Sequence, residues 1–576
     1  MRNLKNRYKG LNLKSILIQN TDEFCRNTTL HGMKYVADNR LKPSERCFFA
    51  LSILTVVCLA IYLIARVYDK WSTTPVIVGI NPEPTFITDE PFPAVSICNL
   101  NQALAAKAEY FSRNSPEYAM LQLLCKREVN TSMLRTLTNW NNLESFILNI
   151  SQPCEDMLLD CRFGGRNYNC SHIFHPLVTD EGLCCVFNML NPKFMYVSHT
   201  PLTYHNLTNY IMHKPVDWYS EKGYPDDLPT HFYPHKVPGV GESLGLSVTL
   251  DVQQAKYYCS SSSSVGFKFA LHSPNESPNI RETGIFIENG KESKLRIKPY
   301  KTETEQHLRG INRNLRHCLF HNEGNLKFFA HYTQRNCEME CVAEISRKYC
   351  GCVSYFMPKI FNNISICSIN DAKCERKVML RMDNRIKSCV DDCLPSCYEL
   401  NFEVDSFSTK LSHNGFDISN TLVMNMSHLY VEENIAVVHM YFKENSFRSN
   451  MQTEFVGISD FLSSIGGLMG LFLGFSFVSI AELIYYAIIR PYRSISKFTQ
   501  TKDIYETLEN GTQSRSAIPT KTLNRSVKKR YNNNVFPSVK IHSDKKHLVD
   551  HKMPLPYLLS GDLEKHGKSG SYGWLE

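Results

Sequence analysis

Ile465–Ile489 reads IGGLMGLFLGFSFVSIAELIYYAII and carries one charge, Glu482, in 25 residues. At about 1.5 Å per residue, a helix of that length crosses a hydrocarbon core about 30 Å thick with some tilt. Gly466, Gly470 and Gly474 recur at every fourth position, with Gly467 beside the first, a pattern that lets helix backbones approach closely. Ser476, Ser479 and Glu482 then place polar groups at membrane depth, where an ionisable side chain is costly and faces water or a partner. A plain lipid anchor needs neither the glycine row nor the acid. The pattern therefore points to a pore-lining helix from an oligomeric assembly.

Working outward, a second apolar run lies near the other end of the chain. Cys47–Ala65, CFFALSILTVVCLAIYLIA, has 19 residues, no charge, and an arginine at each edge, Arg46 and Arg66. It is long enough to span a bilayer and begins too late to be the core of a cleaved signal. Residues 1–46 hold ten Lys or Arg against four acids, and Arg490-Pro491-Tyr492-Arg493 is again basic. The positive-inside rule puts both flanks in the cytoplasm. The expected division is a cytosolic segment at 1–46, a first membrane helix at 47–68 and an extracellular domain at 69–454. A pre-pore segment and second membrane helix follow at 455–489, then a largely disordered cytosolic tail at 490–576. Lys528-Lys529-Arg530 and Lys545-Lys546 in that tail are small basic clusters that would attract anionic lipid weakly.

The cysteines agree with this topology. Of 21, only Cys25, Cys47 and Cys58 precede residue 67 and none follows Cys397, so 18 lie in the expected exterior. An even count confined to one segment fits disulfides in an oxidising compartment. Asn130, Asn149, Asn169, Asn206, Asn275, Asn363 and Asn425 each open a glycosylation tripeptide there; Asn27, Asn510 and Asn524 also match but lie on the inner side. The spacing Cys337-x3-Cys341 puts two thiols on one helix face, and Cys389, Cys393 and Cys397 form a matching row. Zinc held by Cys350-Gly351-Cys352 and nearby histidines is the competing idea. The Cys-x2-Cys pairs of zinc ribbons are missing, and no metal or other cofactor is expected.

The exterior mixes element types. Leu246–Val252 alternates apolar and polar residues as a strand does, Gly266–His272 reads as a strand ended by Ser273-Pro274, and Ile435–Phe442 reads as a buried strand leading toward the second span. Asn336–Lys348 has helix composition, and Met189–Val252 is loop-heavy. The fold class is α+β: two transmembrane helices flanking a large disulfide-rich extracellular domain with a central β-sheet and peripheral helices. No His-Glu-x-x-His or Walker-type phosphate loop occurs, and no catalytic residue is assigned. The net charge of +8 is modest and no nucleic-acid partner is implied. His439, inside an apolar strand, reads as a core residue with a satisfied hydrogen bond that would matter functionally only if a gate sensed protons.

Five stretches, in order along the chain, together resemble the degenerin and epithelial sodium channel family, most of all its insect pickpocket branch. They are Thr29-Leu30-His31-Gly32, Phe92–Asn99 (FPAVSICN), Gly266–His272 (GFKFALH), the cysteine-rich run from Cys337 through Cys350-Gly351-Cys352 to Pro358, and Gly466–Ser476 (GGLMGLFLGFS). The resemblance implies three subunits, identical or related, around one axis in the plasma membrane, conducting sodium ions with amiloride as a blocker. It makes Gly474-Phe475-Ser476 the selectivity filter and Glu482 a cation-attracting ring. Ser463 becomes the small residue whose bulk sets the gate, and His31 and Gly32 a cytosolic gating motif. It also suggests the pairs Cys98–Cys184, Cys161–Cys170, Cys318–Cys397, Cys337–Cys393, Cys341–Cys389, Cys350–Cys374 and Cys352–Cys367. For the remaining four cysteines the expectation is Cys125–Cys154 and Cys185–Cys259.

Two departures stand out. Acid-sensing members of that family carry an acid where this chain has Tyr485, and a tryptophan where it has Arg316-His317 before Cys318. Other classes weigh less. A nucleotide-gated two-span channel would need a basic phosphate cradle that is not evident. A non-conducting receptor would leave Gly474, Ser476 and Glu482 without a task.

Overall fold

The computed structural model describes residues 13–126, 139–197, 213–359, 364–380, 389–411, 418–493 and 496. Residues 21–484 form one compact unit. The described ends of the chain belong to a second, where Tyr485–Ile489 winds as a π-helix and Arg490 lies over the Tyr486 ring. Asn130, Asn206, Asn363, Asn510, Asn524 and the two basic tail clusters fall outside the described residues.

Helix α1 is Leu13–Asn27 and α2 is Pro43–Thr73, 31 residues. Proline at its first turn is tolerated because that N–H has no intrahelical partner, and Glu45 accepts the Lys42 N–H at 2.9 Å, closing the end. The helix overruns the expected 47–68 by a polar turn at each side. Among the described residues it is the one continuous helix long and apolar enough to cross a membrane.

Two sheets make the body. The larger joins β1 (Val76–Phe86), β3 (Leu158–Phe163), β4 (Arg166–Tyr168), β7 (Leu246–Asp251), β10 (Lys291–Thr304), β11 (Glu399–Lys410), β12 (Ile435–Phe442) and β13 (Ser446–Glu454). Its order is β1-β13-β10-β12-β7-β3-β4, with β11 also paired to β10. The smaller runs β9-β8-β2-β6-β5, from Ile285–Ile287, Phe267–His272, Ala94–Asn99, Gly182–Phe187 and Phe174–Thr179. The single central sheet expected from sequence is thus two sheets sharing one core. Leu246, Val248 and Leu250 of β7 and Val438, Met440 and Phe442 of β12 meet Val95 and Ile97 of β2 and Phe267 and Phe269 of β8. Period-2 alternation sends Ser247, Thr249, Val437 and His439 to the other face. Phe92 caps the core, its ring 5.5 Å from those of Phe163 and Phe442.

The cysteine-rich helix α3, Gln334–Cys350, starts at Thr333, whose hydroxyl accepts the Asn336 N–H, and ends at Gly351 in the left-handed region, φ 72°. Its small apolar cluster holds Ile345, Val378 and Val390 beside Cys341 and Cys393. With so little apolar area to bury, the helix is stapled covalently through Cys337–Cys393 and Cys341–Cys389. Cys350–Cys374 and Cys352–Cys367 close its far end, so these thiols are not available to zinc. Cys98–Cys184, Cys161–Cys170 and Cys318–Cys397 are also joined.

The last four cysteines pair otherwise than expected. Cys125 bonds Cys259, and Cys154 bonds Cys185. Cys185 sits on β6 facing the shared core, and the short helix at Cys154–Met157 packs on that core, whereas Cys125 ends a helix in a separate apolar cluster beside Tyr258. Asn149, Asn169 and Asn425 are exposed, but Asn275 is buried at 4 % exposure and accepts from the Ser273 hydroxyl, which leaves no room for a glycan.

Two outcomes follow from this packing. In Cys125→Ser, thiol labelling followed by peptide mapping should find the new free thiol at Cys259, with Cys154 still protected. Acid should also weaken the fold through His272. Its Nδ1–H donates to the Ser273 carbonyl and its Nε2 accepts from the Ser96 hydroxyl, so the neutral ring is satisfied on both sides. Burial pushes its pKa down to about 4, whereas an unfolded histidine titrates near 6.5. The unfolded chain therefore binds more protons between these values, and stability present above about pH 6.5 is lost as pH falls toward 4. The thermal midpoint should drop from pH 7 to pH 5, and His272→Gln should flatten that slope.

Candidate ion pathway

The apolar stretch 465–489 is not one continuous helix. Helix α4, Ile458–Leu473, stops at Gly474, and α5, Phe477–Ile484, starts again after Ser476. The helical stretches Ile458–Leu473 and Phe477–Arg493 are bent by 72° at this break and pass together as a second, broken span. Local chemistry accounts for the break. Gly474 adopts φ 63°, a conformation that lets a glycine turn the chain out of a helix, and its N–H returns to the Gly470 carbonyl at 2.9 Å. Ser476 then begins the next helix. Its hydroxyl accepts the Ser479 N–H at 3.4 Å, and the Ser479 hydroxyl accepts the Ser476 N–H at 3.2 Å, a reciprocal cap with serine in the usual glutamate position. Both signals, Gly474 and Ser-x-x-Ser, stand in the sequence. The unbroken apolar composition hides them from a reading by hydropathy.

The break has a second occupant. Residues Thr28–Gly32 run along it. The His31 N–H donates to the Leu473 carbonyl at 3.0 Å, and a β-carbon at Gly474 would lie 2.5 Å from the His31 ring. Gly474 is thus required twice, once for its φ and once for the space the imidazole fills. Gly32 has φ 81°, turning the chain toward α2 beside Ile53. Glu482 secures the same segment. Its Oε2 accepts the Thr29 N–H at 3.0 Å and the Thr28 and Thr29 hydroxyls at 3.2 Å each. The Thr29 and Ser479 hydroxyls lie 3.0 Å apart. Ser476, Ser479 and Glu482 stand three residues apart, so α5 turns them to one side, where Thr29 bridges the last two. Sequence reading named His31, Gly32, Gly474, Ser476 and Glu482 separately. It missed Thr28 and Thr29 as partners, because nothing local links residue 29 to residue 482.

The other candidates lie on α4. Ser463, Gly466 and Gly467 are exposed, and a β-carbon added at Gly466 or Gly467 would meet no described atom within 4 Å. Gly470 and Phe475 are half-buried near the turn. At its other end α4 packs on α2: Trp71 stacks on Phe461 at 4.8 Å, and Lys70 sits 4.4 Å from the centre of the Phe455 ring. Phe455 follows β13 directly and donates its N–H to the Pro75 carbonyl at 2.8 Å, so the sheet is tied to both helices here.

Arg316, one of the two residues that precede Cys318, is fully buried. Its guanidinium donates to the Leu308, Ile311 and Cys318 carbonyls, pairs with Glu323 and covers the Phe320 ring. Its own carbonyl accepts from Gln452 of β13 at 2.7 Å. A buried charge so fully bonded is a fixed structural joint, linking the base of the stapled region to the strand that runs into α4.

A disulfide-built body, one apolar helix and a glycine-broken helix pair carrying polar groups define a membrane-embedded protein of the ion-channel class. Comparison with known proteins agrees. The family described as amiloride-sensitive sodium channel matches residues 24–486, and the chain belongs to it. Pickpocket protein 28 of Drosophila melanogaster is 36 % identical over 478 residues, covering 81 % of this chain and 78 % of that protein. Sodium channel protein Nach of the same fly is 24 % identical over 491 residues, 81 % of this chain and 86 % of its own length. The bile acid-sensitive ion channel of Mus musculus is 23 % identical over a segment covering 81 % of this chain and 86 % of that one. Family members are ion channels of the plasma membrane rather than enzymes, which places this chain among sodium-channel proteins.

The contacts at the break carry a direct prediction. Glu482→Gln keeps the shape but weakens bonds that a charge strengthens by about 1.5 kcal/mol. Hydrogen exchange at the Thr29 amide should accelerate about tenfold while the amides of β12 stay protected. Unchanged exchange at Thr29 would mean that Glu482 does not hold the segment.

Proposed function

We propose that the chain is one subunit of a trimeric, sodium-selective, amiloride-sensitive channel. It lets sodium ions pass down their gradient in response to a mechanical, osmotic or chemical stimulus. Both ends of the chain lie on the cytoplasmic side, with residues 69–454 outside. The observation that carries this reading is the break Gly474-Phe475-Ser476, packed against Thr28–Gly32, which Glu482 holds. A helix that stops in mid-membrane exposes backbone polar groups, which is tolerated only where they line water or are covered by protein. Carbonyl oxygens presented at such a break can replace part of a cation's hydration shell. Glu482 adds negative charge on the same side.

Gly466 and Gly467 support the assembly. Their bare faces meet no described residue of this chain within 4 Å, and a small-residue face in a membrane helix suits close approach by another helix. Two copies of the same subunit, or of related ones, would supply those helices. Ser463 lies one turn before Gly467 on α4, where bulk would hold neighbouring α4 helices apart.

Voltage-clamp recording of Ser463→Val should give a standing sodium current, blocked by amiloride and at least about tenfold above wild type, a change of about 1.4 kcal/mol in the gating equilibrium. Replacing Ser476 with a larger residue in that background should alter the sodium-to-potassium ratio. A surface-expressed Ser463→Val protein whose current ignores changes at both Ser476 and Glu482 would overturn the pore assignment.

A further inference from the structure

We infer that Glu242, Glu292 and His439 form a binding site for a divalent transition-metal ion of the zinc class, on the outer face of the large sheet. The fold brings the three side chains together from distant parts of the chain. β10 and β12 are parallel neighbours with Lys294 opposite His439, so Glu292, two residues earlier, shares its face. Glu242 comes from the turn Glu242–Leu244 just before β7. Gly245 pins that turn to β12: a β-carbon there would lie 2.1 Å from the Met440 carbonyl oxygen.

The donor atoms are set for one ion. His439 Nε2 is 3.4 Å from Glu292 Oε1, and one ligand atom from each of the three residues lies within 4.8 Å of the other two. Tetrahedral zinc with ligands at about 2.0–2.1 Å needs donors about 3.3–3.4 Å apart, a spacing that Glu292 and Nε2 already meet, while Glu242, now 3.6 Å from Nδ1, has to swing toward Nε2 to complete the set. The outer partners already match. The Ser247 hydroxyl lies 2.8 Å from His439 Nδ1 and can accept its N–H, which directs the Nε2 lone pair toward Glu292. Lys294 Nζ holds the other oxygen of Glu242, Oε2, at 2.7 Å, leaving Oε1 toward the histidine.

Charge and access fit the same reading. The His439 side chain is 11 % exposed, while those of Glu242 and Glu292 are 34 % and 35 % exposed, so an ion enters from the carboxylate side against a closed back wall. Two carboxylates facing Lys294 and Arg162 leave little net negative charge. Affinity then depends on the imidazole nitrogen, which favours zinc over calcium, a cation that wants six to eight oxygens. An ion here would tie β10, β12 and the 242–244 turn together, and β12 leads through β13 into α4.

The test is a calorimetric titration of the purified full-length protein with Zn²⁺, read independently of conduction, so that its failure leaves the channel reading standing. One ion should bind per chain at this site. Glu292→Gln, a half-exposed and shape-conserving change, should weaken binding about tenfold or more, as should His439→Gln. Lys294→Ala should tighten it by removing a competing cation, which a merely structural role of these residues would not produce. Glu288→Gln, on the exposed Glu288–Lys291 pair, should leave it unchanged. Zinc affinity and stoichiometry unaltered in both Glu292→Gln and Lys294→Ala would overturn the site, as would no saturable binding in the wild type below about 100 μM, a free energy of about 5.5 kcal/mol.

Discussion

Gly474 has no room for a β-carbon. Its backbone is left-handed and the His31 ring fills the space a side chain would take. Much of the membrane end depends on that double constraint. Because the helix must stop here, the carbonyls at the end of α4 lose their intrahelical partners. One of them, Leu473, is satisfied by the His31 N–H from a segment more than 400 positions away in sequence. Because that segment must reach the break, the chain between it and α2 has to turn sharply, which Gly32 allows. The break, the loop beneath it and the start of the first membrane helix therefore form one mechanical piece. Moving the segment requires breaking its hydrogen bonds to Leu473 and Glu482.

The outer body is built on a different principle. Its two sheets share an aromatic and aliphatic core and can be rigid by packing alone. The stapled helix α3 cannot, since its apolar cluster is small, and disulfides supply the constraint instead. Two sets of contacts join that region to α2 and α4. Arg316 and Gln452 tie the base of the region to β13, and Phe455, Phe461, Lys70 and Trp71 tie the end of β13 to both membrane helices. A fully buried arginine in that path makes a stiff link, because losing any one of its partners would leave a charge in a dry site.

Much of this was legible in the sequence because it is written locally. Apolar length marks both spans, alternation marks β7 and β12, and cysteine confinement marks the oxidised body. Family resemblance added seven disulfide partners that are joined here. The remaining four cysteines were misassigned because Cys154 and Cys185 meet only after β6 and the short helix at Cys154–Met157 dock on one core, a tertiary fact with no local trace. The single expected sheet became two for the same reason, since strand pairing across the chain is not encoded in any one strand. The break at Gly474 is different. Its glycine and the Ser476-x-x-Ser479 cap were readable by helix-ending and helix-starting rules, and apolar composition outweighed them.

Glu482 is where sequence and geometry diverge most. An acid inside an apolar span invites the reading of a free charge facing the pore. Here one of its oxygens takes three hydrogen bonds from Thr28 and Thr29. Those bonds offset part of the cost of holding a carboxylate away from bulk water, and they do so only while the Thr28–Gly32 segment stays in place. Retracting the segment would leave the carboxylate to be solvated by water or by a cation. On the channel reading proposed above, Glu482 would link the position of the Thr28–Gly32 segment to the affinity of its carboxylate for a cation. Such a coupling would run both ways: drawing the segment away would raise the pull on a cation, and a cation at Glu482 would compete with the threonines for the same oxygen.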